Sequence, residues 1–142
     1  MWWFLMKKKS FLYLSLALLL GGEVMAQDII MQIKGQEYVV SLVDNAYTKD
    51  LIGSLPQTLV FDNFGRNERV ADLKERIGQD SYKKSLQVKR GDLTYYVPWG
   101  NLAAFRVSYS SPSDLVPLGS MSEEAISALE NSGESEVTFK LP

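Results

Sequence analysis

The stretch from Gly91 to Gly119, GDLTYYVPWGNLAAFRVSYSSPSDLVPLG, limits what this chain can fold into more than any other. Leu93, Tyr95 and Val97 alternate with Thr94 and Tyr96, the period of a strand with one buried face. A rigid Pro98-Trp99-Gly100-Asn101 corner follows, and Leu102 to Val107 is expected to return as the paired strand.

The same period recurs along the chain. Ile29, Met31 and Ile33 alternate with Ile30, Gln32 and Lys34, and after Gly35-Gln36 the pattern resumes with Tyr38, Val40 and Leu42, predicting a hairpin. Asp44-Asn45 supplies a cap for a short helix in which Tyr47, Leu51 and Leu55 share one face until Pro56 stops it. Thr58 to Phe64 is strand-like, with Leu59 and Phe61 on one side, and Gly65-Arg66-Asn67 makes a turn. From Glu68 to Arg90 only Leu73, Ile77, Leu86 and Val88 stand out among many charges, so a long connection containing short strands is expected. Ser108 to Asp114 is predicted as a Ser/Pro-rich loop, and Leu115 to Met121 as a short strand interrupted by Gly119. Ser122 caps a second helix, with Glu123 and Glu124 at the positive end of its dipole and Ile126 and Leu129 on its buried side. Val137, Phe139 and Leu141 form a closing strand. Many short strands, two short helices and no strand-helix alternation predict a mainly β fold, a closed or nearly closed antiparallel barrel.

Lys7, Lys8 and Lys9, the apolar run Phe11 to Leu20 and then Val24-Met25-Ala26 have the layout of a signal peptide over residues 1–26, leaving one domain over 27–142. The apolar run is ten residues long, against roughly 20 for a helix that spans a bilayer. A soluble periplasmic or secreted domain is therefore expected, with no membrane attachment after cleavage. Trp2, Trp3 and Phe4 precede the lysines, and Met6 is an alternative start. Without three lysines and Glu23 the domain has 12 basic and 16 acidic residues, a net charge of −4. It has no basic cluster for phosphate neutralisation, so nucleic acid is not an expected partner. The chain has no cysteine; an exported domain then draws its stability from its core rather than from disulfides.

The order of these elements resembles the bacterial cyclophilin-like fold proteins, a family of small β-barrel domains. The matching residues are Leu42-Val43-Asp44-Asn45, Ser54-Leu55-Pro56-Gln57-Thr58-Leu59, Gly91 to Ala103, Leu118-Gly119 and the strand Val137 to Leu141. Pro98-Trp99-Gly100-Asn101-Leu102-Ala103 is the specific part, and Arg66 to Val88 departs from the family's pattern. The resemblance implies a cyclophilin-type barrel with two short helices. Active isomerases of that fold set an arginine beside the proline amide in a pocket that includes a histidine. This chain has no histidine, so no catalytic residue carries over, and fold alone does not imply activity.

Lack of histidine and cysteine removes the usual parts of serine hydrolases, thiol enzymes and common zinc sites. Asp62, Glu68, Asp72 and Glu75 are the only carboxylates proposed here for a hard cation; they lack a spaced loop, and a solvated acidic surface is the favoured expectation. No phosphate-cradling or dinucleotide motif is present, and no cofactor or metal is expected. Tyr95, Tyr96, Trp99, Phe105 and Tyr109 place five aromatics within fifteen residues. Tyr95 and Tyr96 must face opposite ways. An outward Tyr96 beside Trp99 makes an aromatic platform, with Asn101 and Arg106 as donors; against this stands the favoured reading that Trp99 plugs a barrel end and Asn101 satisfies turn backbone. Arg106 has the alternative of lying at a frayed strand end, and Phe64 with Arg66 offers an alternative cavity. The expected function is binding of a peptide, protein or small-molecule ligand at an aromatic-lined barrel face, with no catalytic residues. The alternatives are a prolyl isomerase or folding helper outside the cytoplasm, and a structural partner module.

Overall fold

The computed structural model describes residues 25–142. The leader expected over residues 1–26 lies outside them, apart from the backbone of its last two. Alternation starts the fold: β1 (Met25–Ile33) and β2 (Gln36–Val43) pair as the expected hairpin. Lys34 and Gly35 both take positive φ, 51° and 79°, a turn whose twist matches that of the strands it joins. Ile29, Met31 and Ile33 on β1, with Val40 and Leu42 on β2, face the core, and Val39 faces solvent.

Asn45 caps α1 (Ala46–Gly53): its Oδ1 accepts from Thr48 N (2.9 Å), and Thr48 Oγ1 accepts from Asn45 N (3.0 Å), a reciprocal box. Tyr47 and Leu51 are buried and Leu55 is partly so. The segment expected as one strand from Thr58 to Phe64 is a bent pair, β3 (Gln57–Val60) and β4 (Asp62–Phe64), hinged at buried Phe61. Its first half pairs with the last strand and its second half with β5 (Glu68–Asp72).

The long connection after β5 is irregular until β6 (Leu86–Val88). Its backbone is held by side chains, as a segment packed on a core requires. Leu73 and Ile77 are buried; Tyr47 Oη donates to Gln79 O and Ser81 O, and Ile77 N donates to Tyr95 Oη (3.3 Å). Then follow β7 (Asp92–Tyr96), β8 (Asn101–Phe105), β9 (Tyr109–Ser111), β10 (Leu115–Met121), α2 (Glu123–Glu130) and β11 (Glu136–Lys140). Ser122 caps α2, its Oγ accepting from Ala125 N (3.2 Å).

Nine strands form one antiparallel sheet in the order β3-β11-β1-β2-β10-β7-β8-β5-β4, and β6 and β9 form a separate two-stranded ribbon. The bent β3-β4 segment carries both outer strands of that order, so the sheet curls into a nearly closed barrel. One core fills it, from Met31, Leu93, Tyr95, Leu118 and Phe139 to Ala125, Ile126 and Leu129 of α2.

Three further expectations are corrected. The stretch 108–114, expected as a loop, contains β9, which pairs with β6 through Leu86↔Ser111 and Val88↔Tyr109. The return strand expected to reach Val107 ends at Phe105, and Arg106 N instead donates to Asn67 O (2.8 Å) across the turn. At Gly119 the strand does not break. β10 runs on with a bulge between Pro117 and Gly119, where a residue without an N–H is accommodated.

Candidate functional site: an aromatic cleft on the outer wall

Strand parity builds the site. Leu102 and Ala104 of β8 enter the main core, whereas Ala103 and Phe105 pack outside with Val88 and Leu115 in a second, smaller cluster. Tyr95 is likewise internal and Tyr96 external. Asn101 shares the outward parity of Ala103 and Phe105 and stands directly opposite Tyr96. The β6-β9 ribbon covers part of this outer wall. Where the wall meets the β9-β10 connection there is a cleft of about 330 Å³, within the range of small-ligand sites.

Two groups of rings line it. Trp99 meets Phe64 edge-on (5.4 Å between centroids) and Tyr96 edge-on (5.7 Å), while Phe105 and Tyr109 stack at 5.6 Å and 16°. Trp99 is 58% exposed, so it does not plug a barrel end. Its corner is held from the other side: Arg76 Nη1 donates to Val97 O (2.7 Å), Arg76 Nη2 donates to Pro98 O (3.1 Å), and Gly100 N donates to Tyr96 O (2.9 Å). With its carbonyls occupied, the corner presents the indole outward.

Polar groups complete the lining. The Asn101 side chain is 3% exposed, and its Oδ1 has no hydrogen-bond partner among the described residues. It therefore does not satisfy the turn backbone as expected. Buried amide oxygens seldom lack a donor, which marks this one as an unfilled acceptor. Glu68 lines the same wall further along, opposite Phe105 on β5, and burial raises its carboxyl above the usual range. Asp114 closes the rim in a left-handed conformation (φ 68°); Asp114 N donates to Tyr82 O (2.7 Å), and Asp114 O accepts from Val97 N (3.0 Å). Asp tolerates that region better than most residues.

Of the sequence candidates, Phe64, Tyr96, Trp99 and Asn101 come together at the cleft. Arg106 and Arg66 do not. Arg106 lies just past the end of β8, and its Nη2 donates to Asn63 Oδ1 (2.6 Å) and Glu68 O (3.0 Å), bracing the β4-β5 turn. Arg66 stays on that turn, exposed and away from the lining. Sequence reasoning offered Glu68 only as a cation carboxylate, missed Val70, whose outward parity on β5 was available, and missed the rim Ser111 to Asp114, which lies inside the stretch expected as a loop. Asp62, Glu68, Asp72 and Glu75 do not converge: among the described residues no three acidic side chains are grouped to hold a metal ion. No helix among them is long and apolar enough to cross a membrane.

No curated protein matches the chain. Among solved structures, the solution structure of the hypothetical protein AF2241 from Archaeoglobus fulgidus is similar, with a TM-score of 0.55 and 14% identity over 81% of this chain and 94% of that one. At that identity the likeness concerns the fold alone. The model of the cyclophilin-like family matches residues 31–140, which take in all of the barrel except the first part of β1, both helices and every residue of the cleft, and the chain belongs to that family.

Proposed function

We propose that this domain is a binding module that takes a peptide or small ligand into the outer-wall cleft. The observation that carries the reading is the Asn101 amide, buried at an aromatic-lined opening with its oxygen unpaired among the described residues. Such a group is costly unless something donates to it. Export is part of the same proposal and is supported by the leader pattern of residues 1–26; N-terminal sequencing of the protein recovered outside the cytoplasm should begin at Gln27.

The binding reading is tested by titrating the isotope-labelled chain with peptide and metabolite libraries while following the Trp99 indole signal, assigned through Trp99→Phe. A ligand should shift that signal saturably together with the Asn101 side-chain amide; an unchanged spectrum across the libraries removes the proposal. A prolyl isomerase has the family's fold as its support, but no arginine lines the cleft. In a protease-coupled assay on a proline peptide, no acceleration above background is expected.

A further inference from the structure

Charge around the cleft has one sign. Glu68 and Asp114 line it, and none of its lining residues is a lysine or arginine. Arg106, adjacent in the fold, is turned to Asn63 Oδ1 and the Glu68 carbonyl. The Glu68 carboxylate has no hydrogen bond or ion pair among the described residues, and that of Asp114 accepts only two long bonds, from Tyr82 N and Ser113 Oγ, each 3.3 Å. Asn101 adds an unpaired acceptor, itself almost fully buried. The aromatic rings turn a partly negative surface to whatever lies over their faces.

We propose that the cleft takes a cation, an alkylammonium or guanidinium group held between the aromatic rings, the Asn101 amide and the Glu68 and Asp114 carboxylates. This rests on the cleft being a binding site and adds the charge of what it binds. An anion meets two carboxylates with no counter-charge, and a neutral apolar group buries Glu68 further without compensation. A cation answers both carboxylates and gains from the ring faces. The raised pKa of Glu68 agrees, since burial is what raises it.

The chemistry has two sources, a basic side chain on a peptide or a free organic amine. The probes are butylammonium, butyrate and butanol, together with a blocked lysine tripeptide and its norleucine counterpart, each titrated into the full chain and read at the Trp99 indole and Asn101 amide signals. Butylammonium should bind at least about tenfold more tightly than butyrate or butanol, and Glu68→Gln should weaken it about tenfold. Wild-type shifts at Ser111 and Ser113 serve if that variant does not fold. Preference for the lysine tripeptide over butylammonium identifies a peptide source, and equal affinity a small amine. If butyrate or butanol binds as well, the cation inference fails while the cleft remains a site. If no probe, and no member of the libraries, moves these signals, both readings fail.

Discussion

Gly119 shows how much one residue decides. It pairs with Leu42 where β10 lies against β2, and an added Cβ there would overlap the Ser41 carbonyl oxygen and press on Leu42 Cα at 3.0 Å. Backbone cannot swing aside as a side chain does. Gly119→Ala should cost roughly 1–3 kcal/mol, read as a lowered urea midpoint. Arg69 is the opposite case, a guanidinium 3% exposed on β5. Its Nε donates to Leu129 O (3.2 Å), Nη1 to Asn63 Oδ1 (3.1 Å), and Nη2 to Ser132 Oγ (2.9 Å) and Gly133 O (2.7 Å). Burial, then the neighbouring Arg106, lowers its pKa, and the carbonyls at the end of α2 favour the charge. Arg69→Leu strands those acceptors, and a loss on the order of 3 kcal/mol in denaturant unfolding is expected. At this scale parity was legible for the paired tyrosines: it set Tyr95 and Tyr96 on opposite faces. For Arg106 it left two places, the platform and a strand end, because alternation does not mark where a strand stops; β8 stops one residue before it, which favours the second.

Helix α2, whose last turn Arg69 reaches, is also fastened by a second arginine. Arg90 Nε and Nη2 donate to the two carboxylate oxygens of Glu123 (2.8 Å each), and Nη2 also reaches Glu130 Oε1 (2.7 Å). Hydrogen bonds from Arg90, then Ser127, lower the Glu123 carboxyl from 4.5 to about 2, and Arg90 lowers Glu130 as well. A carboxyl that binds its proton less readily in the folded state adds stability above its unfolded pKa and loses it on acidification. The wild type should therefore weaken relative to Glu123→Gln as pH falls from about 4.5 toward 2, by an amount kept small by solvent exposure; urea midpoints measured across that window would show no such convergence if the contact were idle. The β6-β9 ribbon is held differently, by three-residue strands outside the main sheet. Its amides should exchange with deuterium at least about tenfold faster than those of β1, β2 and β10. Both helices were legible because caps and apolar spacing are local signals. β9 was not: Tyr109-Ser110-Ser111 lacks an apolar alternation, and only its distant partner β6 makes it a strand.

For the whole molecule, closure was legible in the run of short strands, and so was the role of the last one. Phe139 is fully buried, opposite Met31 on β1 and 6.2 Å from the ring of Phe61. Phe139→Ala should cost roughly 3–5 kcal/mol by removing a large side chain from a filled core; a loss below about 1 kcal/mol in equilibrium unfolding would mean that β11 is peripheral. The cleft was only half legible, because its walls come from β4, β5, β7, β8, β9 and the start of β10, and no local pattern reports which distant segments become neighbours. The bend at Phe61 has a consequence for life in a crowded solution. A single residue separates the two margins of the sheet, so each shields the other from strand addition by a second copy. A flexible Gly-Ser insert after Phe61 should part them, leave unpaired N–H and C=O rows on both, and turn a self-limited fold into one that polymerises.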